Sequence, residues 1–142
     1  MNTSRLSIIF LVFLGFITRM FAVDSKPEIS GDYLLFQGRW TVLRNEIRKQ
    51  TTPGMHGRLF IFEAKTFRID TDKGSEGFSI DETTKPKSID FDDGRSPVIK
   101  GIYQIDGDAL IICTGAPGAK RPKEFKTSIW SGTVLTSLER AK

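Results

Sequence analysis

The sequence predicts an all-β domain, a closed barrel or a sandwich, over most of its 142 residues. Three observations carry this. Beyond Gly38 the chain divides into about eight or nine short apolar stretches, spaced at roughly 8–12 residues and separated by turn residues. None of these stretches shows the apolar period of a helix. Several alternate apolar with charged residues, as in Phe67-Arg68-Ile69-Asp70, which gives a sheet one dry face and one wet face.

The N-terminus precedes the domain. Asn2-Thr3-Ser4-Arg5 is polar and basic, Leu6 to Ile17 is apolar apart from Ser7 and Gly15, and Ala22 ends the segment with a small residue. This is the pattern of a secretory signal peptide over residues 1–22. The apolar run is shorter than the roughly 20 residues that span a bilayer. Met20 and Arg19 fit the cleavage site poorly, so an uncleaved N-terminal anchor is the competing reading. Either way the chain is expected to be exported, to a periplasm or the extracellular space, with no other membrane segment. Residues 23–31 read as a short linker and 32–142 as the domain.

Within the domain, Asp32-Tyr33-Leu34-Leu35-Phe36-Gln37 is expected to form a helical turn or two, with Asp32 as N-cap and Gly38 as stop. Strands are expected over 39–47, 59–62, 66–70 and 77–81, with Thr51-Thr52-Pro53-Gly54 and Asp72-Lys73-Gly74 as turns. Pro86 prevents the fourth of these from continuing, since it has no N–H for a ladder. Further strands follow over 88–92, 98–106 and 109–114, a Gly/Pro-rich loop over 115–122, and strands over 128–131 and 133–140.

Charge and composition exclude several functions. The formal net charge is +4, but Arg5 and Arg19 lie in the signal segment, which leaves 19 basic and 17 acidic residues beyond it. Lys120-Arg121-Pro122-Lys123 with Lys126 is a modest cluster rather than the dense stripe that nucleic acid requires, so no nucleic-acid partner is expected. Cys113 is the sole cysteine and lies in an apolar strand, so it is expected to be a packed, inert thiol. One histidine and one cysteine are too few ligands for a soft-metal site.

The entrance to the domain, Phe36-Gln37-Gly38-Arg39-Trp40, resembles the opening strand of lipocalins and other calycins through its Gly-x-Trp. That resemblance implies that Trp40 closes one end of a barrel beneath an arginine near the C-terminus, a place that Arg140 fills. A wider resemblance is to a family of uncharacterised exported lipocalin-like (calycin-type) domains of planctomycete bacteria. It is carried by Pro86 to Asp90, Gly101 to Leu110, Cys113, Arg121-Pro122-Lys123-Glu124-Phe125 and the Leu138 to Arg140 ending. It implies a small antiparallel up-and-down barrel of about eight strands, and no biochemical activity. An ion pair between Asp90 and Arg121, tying two loops, is the structural role expected of those two residues.

No catalytic or cofactor motif stands out. His56 lies at a loop tip without a nucleophile beside it, which is surface decoration more often than a general base. Asp70-Thr71-Asp72-Lys73-Gly74-Ser75-Glu76 places acids at alternate positions, as a calcium loop would, but it lacks the EF-hand pattern, and acidic turns with glycine are ordinary hairpin chemistry. The barrel interior remains. Phe60, Phe62, Phe67, Phe78 and Tyr103 are the candidates to line a cavity for a small apolar or amphipathic ligand, packing of the core being their competing role. The alternative function is a protein-interaction or inhibitor module of the cell envelope that uses its loops.

Overall fold

A computed structural model describes residues 29–142; the signal peptide expected over 1–22, and most of the linker expected over 23–31, lie outside the described residues. A short helix α1 (Asp32–Phe36) leads into β1 (Gly38–Ile47), β2 (Gln50–Thr51), a single 3₁₀ turn (Pro53–Met55), β3 (Leu59–Glu63), β4 (Thr66–Ile69), β5 (Glu76–Asp81), β6 (Lys87–Asp92), β7 (Ile99–Asp106), β8 (Ala109–Thr114) and β9 (Val134–Arg140). Each strand from β3 onward pairs antiparallel with the next. β1 pairs with both β3 and β9, which closes the sheet. The result is an eight-stranded antiparallel up-and-down barrel of β1 and β3 to β9, with β2 as a short extra strand on the end of β1.

Period-two alternation sets the interior. Phe60 and Phe62, Ile89 and Phe91, and Leu110 and Ile112 face inward as alternate residues of their strands and belong to one buried cluster. β1 needs a correction to do the same along its length. Its pairing with β9 slips between Val42 and Arg44, a bulge that leaves Leu43 exposed. Trp40 and Val42 therefore face inward before the bulge, and Asn45 and Ile47 after it.

The two ends of the barrel differ. At one end α1 lies across the opening and inserts Phe36, fully buried, against Phe62, Phe78 and Tyr103 at ring-centroid distances of 5.0, 5.6 and 5.0 Å. A five-residue helix cannot satisfy its own last carbonyls. The indole Nε1 of Trp40 donates to the Phe36 carbonyl (2.8 Å), and the Arg140 guanidinium donates to those of Leu35 (2.9 Å) and Gln37 (3.0 Å).

Asp32 is not the N-cap that its position suggests. Gly31 precedes the helix at φ +59°, without a side-chain cap. The Asp32 carboxylate turns inward and accepts from Lys87 Nζ and from the Tyr103 hydroxyl, both at 2.7 Å. A charge-assisted tertiary pair is stronger than the local bond a cap would make. The strand expected over 128–131 is also absent. Ser128 and Ser131 exchange backbone-to-hydroxyl bonds that form a turn instead, and Trp130 in its middle is 92 % exposed.

Residues 115–127 fold back over the outer face of β7 and β8. They cover Ile102 and Cys113, both buried and both outside the interior cluster. The Cys113 thiol lies 3.5 Å from the Glu124 carbonyl, and burial pushes its pKa up.

Candidate functional site

The strand ends opposite α1 leave a cavity of about 300 Å³ open at the rim. Its floor is Phe60, Phe67, Phe91 and Ile112, which are also the last layer of the buried cluster. Its upper wall is Ile47, Ile69, Ile99 and Val134, each contributed by the open end of its strand. Met55, presented by the 3₁₀ turn, leans over one side, and a thioether on an unbranched stem suits a surface that must adapt to what it touches. The size is at the lower end of small-molecule pockets, and the lining is predominantly apolar, as such pockets are.

Four polar side chains join this wall: Asn45, Thr114, Thr136 and Glu76. Asn45 and Thr136 are buried and bonded to each other, Nδ2 to Oγ1 at 2.9 Å, and Thr52 donates to Asn45 Oδ1 at 2.5 Å. Glu76 is the first residue of β5 and stands opposite Phe67 across the ladder. Its carboxyl is raised above the ordinary glutamate range, first by burial and then by the nearby carboxylates of Asp93, Asp72 and Asp92.

Of the five aromatic residues expected to line a cavity, the barrel brings Phe60 and Phe67 to its wall. Phe62, Phe78 and Tyr103 lie nearer the closed end, packed on Phe36, and are core residues. The Tyr103 hydroxyl is engaged by Asp32. Burial and that carboxylate drive its pKa far upward, so it remains a neutral donor.

The residues assigned structural roles are placed as follows. The Arg140 guanidinium carbon lies 4.2 Å from the centroid of the Trp40 ring. Arg121 forks onto Asp90 at 2.6 and 3.2 Å and also donates to the Gly101 carbonyl at 2.7 Å. That pair does not tie two loops: Asp90 is in the middle of β6, and Arg121 fastens the 115–127 segment to the barrel wall. Both side chains are about 30 % exposed, so the pair is half-buried.

His56 is exposed, and its Nδ1 donates to the Leu43 carbonyl at 2.8 Å. The acidic turns cap their own backbones: Asp72 accepts from the Ile69 amide, Asp92 from Gly94, and Asp93 from Arg95 and Ser96. Among the described residues, no group of three or more His, Cys, Asp or Glu side chains is placed to hold a metal ion.

Reading the sequence misses Glu76, Asn45 and Thr136 as cavity residues. The signal for Glu76 is present, since it stands two positions before Phe78 and four before Ile80 on one strand face. Asn45 gives no such signal, because the bulge at Leu43 changes the face on which it falls. Comparison with family models, with curated proteins and with solved structures returns no match in any of the three.

Proposed function

We propose that this domain is a binding module that takes a small apolar or amphipathic molecule into the open end of its barrel. The observation that carries this is the unequal filling of the two ends. Phe36, fully buried against its aromatic neighbours, fills one end, whereas the other retains a cavity with an apolar floor and a rim open to solvent. A barrel of eight strands is wide enough to be filled by its own side chains or to hold one small ligand, and here it does the first at one end only. The Gly38-Arg39-Trp40 entrance with Arg140 over Trp40 supports a lipocalin-like (calycin) relationship, and the basic and apolar N-terminus supports an exported setting.

Native mass spectrometry of the purified domain, with displacement of a fluorescent apolar probe by a broad ligand panel, tests the reading. Binding is expected in the wild type and is expected to be lost in Val134→Trp, which fills the mouth from the start of β9. A panel from which nothing is retained and nothing displaces the probe would sink it. One observation favours a second reading, a protein-interaction or inhibitor module. Ile129 and Trp130 are 57 % and 92 % exposed on the loop before β9. Loop 115–122, by contrast, is held down by amide bonds from Gly115 to the Lys100 carbonyl and from Gly118 to that of Val98.

A further inference from the structure

We propose that the molecule held at the open end carries a cationic head on its apolar body, an alkylammonium group, and that the Glu76 carboxylate is its counter-ion. The inference rests on the cavity being a binding site and names the class of ligand it takes.

Glu76 is the one ionisable side chain on the cavity wall among the described residues. Its placement follows from the strand: Phe78 is buried in the interior and Ile80 packs against the same cluster, so the residue two positions earlier faces the same way. A carboxylate turned toward an apolar lumen loses hydration, and a counter-ion is what offsets the loss. The protein does not supply one. Among the described residues, the ion pairs join other partners, and neither Lys73 nor Arg95, the cations of the adjoining loops, is paired with Glu76.

The surroundings repeat the same sign. Asp72 in the β4–β5 connection, Asp92 at the end of β6 and Asp93 just after it act on Glu76, each fixed in place by backbone amides. An anionic head would meet the Glu76 carboxylate in a field made more negative by three further carboxylates, and a neutral head would leave Glu76 without a counter-charge. Across the barrel, Asn45 donates from Nδ2 to Thr136 Oγ1 and accepts from Thr52 at Oδ1, so that wall is occupied by its own hydrogen bonds and carries no cation for an anionic head. The upward shift of the Glu76 carboxyl, from burial and the neighbouring carboxylates, agrees with a group that has no cationic partner among the described residues.

The experiment compares three ligands of one chain length, octylamine, octan-1-ol and octanoate, by displacement of an apolar fluorophore from the intact domain at neutral pH. Octylamine is expected to bind about ten-fold more tightly than octanol, and octanoate more weakly than either. Glu76→Gln, nearly isosteric, is expected to bring octylamine to the level of octanol while leaving octanol unchanged. Glu76→Lys is expected to invert the order in favour of octanoate. Octanol or octanoate binding the wild type as tightly as octylamine would overturn the cationic head while leaving the cavity reading intact. An amine preference that survives in Glu76→Gln would overturn Glu76 as the counter-ion. If none of the three displaces the bound probe, this inference is overturned, and the cavity reading stands or falls separately on the broad ligand panel.

Discussion

Arg140 concentrates on one side chain what closes the barrel. Its planar fork serves the carbonyls of Leu35 and Gln37 at the end of α1 and Asp108 (3.2 Å) while its face lies over Trp40. Charge alone does not do this. A lysine places one point charge there and cannot donate to two carbonyls while stacking on the indole. Arg140→Lys is therefore expected to destabilise by about 1–2 kcal/mol, read as a lower urea midpoint at unchanged slope. An unchanged midpoint would mean that the positive charge suffices. Gly38 belongs to the same arrangement. Its φ of +109° turns the chain from α1 into β1, a conformation other residues adopt only under strain of about 1–3 kcal/mol. The glycine of Gly-x-Trp thus has a backbone reason, and the tryptophan a packing one.

At the scale of elements, the segment over 115–127 is a cover fastened by Arg121 rather than a free loop. Beneath it the Cys113 thiol has no exposed surface, and burial raises its pKa, so a disulfide reagent reaches it only when the cover lifts. In the native protein, labelling of Cys113 is expected to be slow. Arg121→Ala, which leaves Asp90 without its fork, is expected to speed labelling by about ten-fold with far-UV circular dichroism unchanged. Equal rates would show that the apolar contacts of Ile102 hold the cover unaided. This element also marks the limit of what the sequence discloses. Strands such as Thr66–Ile69 and Glu76–Asp81 are legible because alternation of two encodes both the strand and its inner face. The 128–131 segment carries apolar residues without a sheet to receive them, and its serines settle it as a turn. The bulge at Leu43 is set by pairing with β9 far along the chain, so no local pattern announces Asn45 as a cavity residue. Asp32 looks like a cap because nothing nearby in the sequence reveals Lys87 or Tyr103.

For the whole molecule, the two ends of the barrel respond to acid in opposite senses. At the closed end, burial works to raise the Asp32 carboxyl, but the bonds from Lys87 and Tyr103 outweigh it and hold the carboxyl below its usual range. The stability it provides is present above the unfolded value of about 3.9 and is lost as pH falls through the lower folded value. At the open end, Glu76 is raised, so the neutral form is favoured by folding. That contribution is present in acid and is lost as pH climbs through the raised folded value. Glu76→Gln should accordingly stabilise the empty barrel at neutral pH, by about 0.5 kcal/mol or a melting shift of ~2–4 °C, and should make no difference in acid. A window follows between the two carboxyls, where Glu76 is protonated and Asp32 is still ionised. Within it the barrel stays folded while a cationic ligand loses its counter-ion. Octylamine affinity is expected to weaken on acidification from the raised Glu76 value downward, with the melting temperature holding until Asp32 begins to protonate. Octanol binding is expected to stay flat across the same range, and Glu76→Gln to remove the pH dependence for the amine. Affinity and melting temperature falling together would place the acid response in the fold as a whole and not in the rim.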